Sequence, residues 1–321
     1  MKTVAALLLT CSLGLPASAH AQSWPSKPVK VVVPAPAGSS LDIIVRTLGD
    51  RLAPRWKQPI VVENKPGAGG MLGMDAVAKA APDGHTIGIG FNGPIAFGPH
   101  MHKKMPYDPV QDLVPVVLTT SQPNVLAVPA NNPAATLPEF VAWARKQGGK
   151  LSYASVGNGS SSHVTMELFK DVAGFEAVHV PYGGSPPAAL AVASSEVQLL
   201  FTVEPALKPL IKGGRLKLLA ATSAKRTDGL KELPTVAESG YPGFEAMAWN
   251  GLFLPKGTPD DVVRQVNADV NAVLSDPAVR ATFASQGLIG GGGTPAEFKQ
   301  FIASESAKYG PIIKKAGITT D

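Results

Sequence analysis

Cysteine is nearly absent from this chain. Of 321 residues only Cys11 is one, and it lies in an N-terminal stretch that reads as a removable targeting segment. That stretch has a positive start at Met1-Lys2, a short apolar run from Val4 to Leu15, and small residues in Pro16-Ala17-Ser18-Ala19-His20-Ala21. This is the pattern a signal peptidase recognises. Cleavage after Ala21 fits best, with Ala19 the alternative. The mature chain is then without disulfides, thiol nucleophile or thiolate metal ligand, and a chain of this length buries enough apolar surface to fold without staples. A lipid anchor at Cys11 fits poorly, because the cysteine sits inside the apolar run without the small residue expected before it. The run is too short to span a bilayer, and no later stretch approaches a transmembrane helix in length. A soluble protein secreted to the periplasm is expected.

Strong charge is also lacking. The net charge is +5 and falls by one with Lys2. That is too mild and too scattered to suggest nucleic acid, though a weak preference for anions is reasonable.

Catalytic signatures are missing too. There is no Gly-x-Ser-x-Gly elbow and no His-Glu-x-x-His pattern. After Ala21 the histidines are His85, His100, His102, His163 and His179. The pair His100-Met101-His102 lacks a neighbouring carboxylate and reads as a surface loop, not a metal site. His163 follows Ser160-Ser161-Ser162, so a hydrolase using one of those serines is a rival reading. At the first turn of a helix this histidine more naturally orients the serine loop or fills a packing position. The stretch Gly67-Ala68-Gly69-Gly70-Met71-Leu72-Gly73 has Leu72 at the third glycine position of a dinucleotide fingerprint and no acid at the expected distance. No catalytic residue, metal or cofactor is expected.

What is present is a regular alternation of short apolar runs with helical patterns. Val29 to Val33 is β-branched and ends at Pro34, a buried strand. Leu41 to Leu52 carries apolar residues at helical spacing. Ile60 to Val62, a helix over Met71 to Ala81 and a strand over Thr86 to Phe91 follow. The pattern restarts after Pro123 with strand Val125 to Val128 and a helix opening at Thr136, Glu139 serving as its capping-box partner. Leu151 to Ser155, Ala177 to Val180, Val197 to Phe201 and Leu216 to Ala221 read as further strands. A third block holds strand Gly251 to Leu254, helix Asp260 to Leu274, and shorter helices after Pro277 and Pro295. Strands alternating with helices imply parallel sheets built from βαβ units, and roughly 300 residues suggest two domains.

Two strand-to-helix turns stand out: Pro34-Ala35-Pro36-Ala37-Gly38-Ser39-Ser40, and Ser155-Val156-Gly157-Asn158-Gly159-Ser160-Ser161-Ser162. A helix N-terminus presents unpaired N–H groups and partial positive charge. Glycine lets a ligand approach the backbone, and Ser or Asn adds donors. Such turns suit a carboxylate, and open α/β sheets bind ligands at this edge.

The chain resembles the Bordetella uptake gene family, the periplasmic solute receptors of tripartite tricarboxylate transporters. The likeness runs from Trp24 nearly to Asp321. It includes Val62-Glu63-Asn64-Lys65-Pro66-Gly67-Ala68-Gly69-Gly70, Ala81-Pro82-Asp83-Gly84-His85-Thr86, Pro106-Tyr107-Asp108-Pro109, His179-Val180-Pro181-Tyr182 and Leu254-Pro255-Lys256-Gly257-Thr258-Pro259. The resemblance implies an α/β, two-domain periplasmic binding protein (a type II Venus flytrap), each domain a mostly parallel sheet flanked by helices. Residues 24–123 with 247–321 would form one domain and 124–246 the other. A small carboxylate would bind between them, for delivery to the membrane components of the transporter by a monomeric receptor. A receptor signalling to a sensor kinase is the alternative.

Carried over, the ligand residues are Ala35, Gly38, Ser39 and Ser40 in the first turn and Gly157, Asn158, Gly159, Ser160 and Ser161 in the second. Asn92 and Thr202 stand at the ends of two strands where members place polar contacts. Three departures bear on selectivity. Members carry Phe where this chain has Ala35, Gly where it has Ser39, and often Asp where it has Thr202. More room at Ala35 and no negative charge at Thr202 shift the expected ligand to a dicarboxylate or aromatic acid without an amino group.

Overall fold

The computed structural model describes residues 24–319; the targeting segment 1–21 lies outside them. In chain order the elements are β1 (Val29–Val33), α1 (Ser40–Trp56), β2 (Ile60–Asn64), α2 (Met71–Ala78), β3 (Thr86–Phe91) and α3 (Gly98–Met101). Next come β4 (Leu113–Pro129), α4 (Leu137–Lys146), β5 (Leu151–Ser155), α5 (Ser161–Ala173), β6 (Ala177–Pro181), α6 (Ser185–Ala193), β7 (Leu199–Val203), α7 (Lys208–Lys212) and β8 (Leu216–Ala221). The chain closes with β9 (Met247–Pro255), α8 (Asp260–Leu274), α9 (Pro277–Ser285), β10 (Ile289–Gly292) and α10 (Pro295–Lys315).

Two sheets share one strand. The first runs β2-β1-β3-β9-β4-β10, and the second runs β8-β4-β7-β5-β6. The βαβ units are parallel as their crossovers require: β1 with β2 and β3, β5 with β6 and β7. Both sheets are nevertheless mixed, because β9 is antiparallel to β3 and β4, and β4 is antiparallel to β7, β8 and β10.

These directions orient the molecule. β1 and β3 run with the first half of β4, which heads into the second sheet. β5, β6 and β7 run against β4. The C-terminal ends of β1 and β3 therefore face the second domain, and those of β5, β6 and β7 face the first. The β-branched run of β1 packs under α1 and α8, with Val29, Val33, Ile44, Val266 and Val270 fully buried. Each such side chain stabilises the domain by about 1.5–3 kcal/mol.

Two elements are longer than their sequence patterns suggest. β4 spans 17 residues, although Pro115 and Pro123 punctuate it. Pro115 falls at a shift of register against β9, and Pro123 sits where β4 leaves its last pairing with Met247, places where a missing N–H is tolerated. α10 has 21 residues, not the short helix expected after Pro295. A complete Thr294–Glu297 capping box starts it, and Phe298, Ile302, Glu305, Tyr309 and Ile313 keep one face buried. The box expected at α4 is incomplete. Thr136 accepts from Glu139 N–H, but the Glu139 carboxylate takes the N–H of Ala135 instead of Thr136's.

The crossing between the sheets is fastened by Thr222, which is fully buried. Its hydroxyl accepts the Asn124 N–H at 2.9 Å and donates to Ala246 O, while its own N–H reaches Asn124 O at 2.9 Å. Thr222→Val keeps the shape and orphans the buried Asn124 N–H. It is expected to destabilise the protein by about 2 kcal/mol, read as a lower urea midpoint at unchanged slope; an unshifted midpoint would show that the fastening contributes nothing.

Candidate functional site

The first turn leaves β1 and enters α1 at Ser39, whose side chain accepts the Asp42 N–H at 3.3 Å. Gly38 has φ +79°, a left-handed conformation that glycine adopts without strain. What holds the turn is Asp42, only 3% exposed. Its carboxylate accepts from Gly38 N–H at 2.9 Å, Arg46 Nε at 2.9 Å and Asn64 Nδ2 at 3.0 Å. The Arg46 hydrogen bond, with those from Gly38 and Asn64, outweighs burial and holds the carboxyl down at about 2. Asn64, at the end of β2, also donates to Ala35 O at 3.1 Å, so it ties both ends of the turn.

The second turn leaves β5 and enters α5 at Ser160, which accepts the His163 N–H and donates to Gly157 O at 2.7 Å. Beneath it His163 Nδ1 accepts the Gly159 N–H at 3.1 Å, and Ser155 Oγ accepts the Gly157 N–H at 3.2 Å. His163 stacks face to face on His179 of β6, rings 3.7 Å apart, and His179 Nε2 shares a 2.7 Å hydrogen bond with Ser155 Oγ. Burial, then the facing His179 and Lys170, push His163 down to about 3, so it is neutral at physiological pH. Asn124, on β4 at the crossing, donates to Ser161 Oγ at 3.1 Å.

Capping leaves identifiable donors. Among the described residues, no protein acceptor is found for the N–H groups of Ser40 and Leu41 at the start of α1. The same holds for Ser161 and Ser162 at the start of α5. These are the open N–H groups that any first helical turn carries, and the strand directions place the two sets on facing domain edges.

Other residues singled out from the sequence are engaged in the scaffold. Asn92 is 2% exposed; its amide donates to Met247 O at 3.1 Å and accepts the Trp249 N–H at 2.9 Å, gripping β9 next to the crossing. Thr202, equally buried, pairs its hydroxyl with Ser185 Oγ at 2.9 Å. Asn158 is exposed, and its amide donates to Thr319 O at 2.7 Å, linking the second turn to the chain end beyond α10. Sequence reasoning passed over Asn64, Asn124 and Ser185. Ser185 had a signal, since Tyr182-Gly183-Gly184-Ser185 is a third glycine-rich turn from strand to helix. Asn64 and Asn124 gave no local signal, because the partners of their amides lie 22 to 41 residues away.

The serine-hydrolase reading fails on geometry. Ser160 donates to Gly157 O, Ser162 donates to Phe201 O, and Ser161 accepts from Asn124. Within this turn the serine that meets an imidazole is Ser155, fully buried. No group of His, Cys, Asp and Glu suited to a metal occurs among the described residues, and His100 of the close histidine pair instead meets Ser306 Oγ at 2.8 Å. Two cavities of about 1350 and 800 Å³ lie away from both turns, one between the 99–115 segment and α10, the other beside Pro123, Pro205 and Arg280. Neither is lined by a residue of the two turns.

Two α/β domains joined by crossing strands, with helix N-termini at the facing sheet edges, define a periplasmic binding protein. The model of the tripartite tricarboxylate transporter family receptor, TctC, matches residues 44–318. A UPF0065 protein from the tcbD-tcbE intergenic region of Pseudomonas sp. strain P51 is 35% identical over 313 residues, covering 97% of this chain and 93% of that protein. The structure of R. palustris Rpa4515 with adipate matches with a TM-score of 0.83 at 35% identity, over 92% of this chain and 99% of that one. MatC from Rhodopseudomonas palustris with bound malate matches at 0.78 and 31%, over 90% and 100%. The chain belongs to the tripartite tricarboxylate transporter receptor family, the Bordetella uptake gene receptors. It is an extracytoplasmic solute-binding protein of that transport system, not an enzyme.

Proposed function

We propose that this receptor captures a small dicarboxylate, or an aromatic carboxylate, lacking an amino group. It closes on the ligand between its domains and delivers it, as a monomer, to the membrane components of a tripartite tricarboxylate transporter. The observation that carries this reading is the pair of facing helix starts with open N–H groups, Ser40 and Leu41 opposite Ser161 and Ser162. Each start stabilises a carboxylate through directed hydrogen bonds and the helix dipole. The relatives whose structures carry adipate and malate support the two-carboxylate form. The wall at β7 supports the absence of an amino group: Thr202 and Ser185 offer hydroxyls and no negative charge for an ammonium.

The proposed second domain is 124–246, since β4 exchanges β9 for β7 and β8 between Pro123 and Asn124. A ligand touching both turns does so only when the domains are closed, so binding shifts the population toward the closed form. Ala35, Gly38, Ser39, Gly157 and Ser160 then shape the walls and Ser40 and Ser161 face the ligand, with room beside Ala35 admitting longer or flatter acids.

A thermal-shift panel of adipate, malate, succinate, benzoate, glutamate and aspartate tests the reading. Adipate, malate or benzoate is expected to raise the melting temperature by several degrees at 100 times its Kd, about 2.7 kcal/mol of added stability. Stabilisation by glutamate or aspartate, and by no plain carboxylate, would overturn it.

A further inference from the structure

The two turns are held in different ways. The first is braced by an ionised carboxylate, Asp42. The second is held from beneath by neutral acceptors: His163 Nδ1 takes the Gly159 N–H, and Ser155 Oγ takes the Gly157 N–H. Gly159 and Ser155 are buried, so water does not replace either partner. Gly157 and Gly159 have φ of +135° and +69°. The turn is therefore built from residues free to rotate, and its conformation depends on where those two N–H groups are anchored.

The surroundings keep the anchor neutral. An imidazole that accepts at Nδ1 carries its proton on Nε2. His179 lies against one face of His163, and Tyr153 of β5 stacks on His179 at 5.0 Å. Glu167 and Lys170 of α5 pair at 2.7 Å, and Glu167 also accepts the Tyr153 hydroxyl. Farther along α5, Asp171 pairs with Lys315 of α10. The acids around the stacked rings are thus paired, and burial first, with Lys170 adding to it, favours the neutral imidazoles.

We propose that His163 and Ser155 are positioning residues of the carboxylate site, anchoring the Gly159 and Gly157 N–H groups inward so that the open donors at the start of α5 are fixed for the ligand. The inference rests on the carboxylate reading above. A negatively charged anchor with no cation beside it, unlike Asp42 with Arg46 at 2.9 Å, would oppose the ligand's own charge at close range. Neutral acceptors hold the turn without that repulsion.

Calorimetric titration of adipate into the full mature chain at neutral pH tests this with three variants. His163→Leu keeps much of the volume and removes the acceptor. His163→Asn restores an acceptor oxygen near the Nδ1 position. Ser155→Ala removes the second anchor. His163→Leu and Ser155→Ala are each expected to weaken adipate by about 10-fold or more, the worth of one hydrogen bond. His163→Asn is expected to stay within about 3-fold of wild type, although both His163 variants lose the stack on His179 and melt lower. Equal loss in the Asn and Leu variants would make the role merely structural and overturn the proposal, as would unchanged affinity in Ser155→Ala, the variant to rely on if His163→Leu does not fold. Malate or benzoate replaces adipate as titrant where it binds better; wild type that binds none of the three overturns the carboxylate reading and this inference together, and wild type that binds one, with unaltered variants, overturns this inference alone.

Discussion

Asp42→Ala is expected to weaken carboxylate binding at least about 100-fold and to destabilise the protein by about 3 kcal/mol. The side chain is buried and takes three donors at once: Gly38 N–H, Asn64 Nδ2 and Arg46 Nε. Truncation leaves the Gly38 N–H without an acceptor inside the protein, and it leaves Asn64 with Ala35 O as its amide's single partner. The Gly38-Ser39 turn then loses the conformation that places the Ser40 and Leu41 N–H groups at the domain edge. Arg46 is half-exposed, but its partner is buried, and its hydrogen bond is the first cause of the lowered Asp42 carboxyl. Arg46→Ala is therefore expected to lower the urea midpoint, though less than Asp42→Ala, because Gly38 and Asn64 still hold the carboxylate. If Asp42→Ala binds the best ligand of the panel as wild type does, the first turn is not part of the site.

Acid is expected to unfold the protein along an arm that begins well above the carboxylate range. His163 is held down at about 3 and His179 is also lowered, each first by burial, whereas both titrate near 6.5 in the unfolded chain. Between those values the unfolded chain binds more protons, so stability falls as pH drops from about 6.5 toward 3. The loss is on the order of 4 kcal/mol by pH 3. Asp42 adds a second loss, starting near pH 4 as its unfolded form protonates and complete as pH falls through about 2. Glu305 acts in the opposite sense, because burial raises its carboxyl and its proton is held more tightly in the folded chain. Urea unfolding at successive pH values measures the arm. The slope between pH 6.5 and 4 is expected to flatten in His163→Asn; stability independent of pH between 7 and 4 in wild type would refute the account.

Much of this protein is written in local pattern. The β-branched run Val29 to Val33, the helical spacing from Leu41 and the Pro-Asp start of α8 depend on neighbours within a few residues, and each forms where its pattern places it. Both glycine- and serine-rich turns are legible for the same reason, since an N-cap and the glycine before it act over three or four positions. The long strand β4 was not legible. Pro123 reads as a break between blocks, and only the pairing with β9 shows that it falls at the change of partner, as Pro115 falls at a register shift. Asn92 shows the same limit at a single side chain. It stands at a strand end beside the expected site, but Met247 and Trp249, more than 150 residues on, take both ends of its amide.

The sequence by itself determined the βαβ grammar and the two turns whose helix starts attract an anion, because these rest on short-range periodicity and capping, while the class of protein came from its resemblance to a known receptor family. Only the tertiary structure decided which donors in those turns stay open, and that the two turns face each other. Gly38 and Gly159 look equivalent in sequence, yet their N–H groups are taken by Asp42 and His163, while Ser40 and Ser161 keep theirs free. The facing follows from the direction of a single strand passing through two sheets, a relation between residues far apart in the chain that no local pattern encodes.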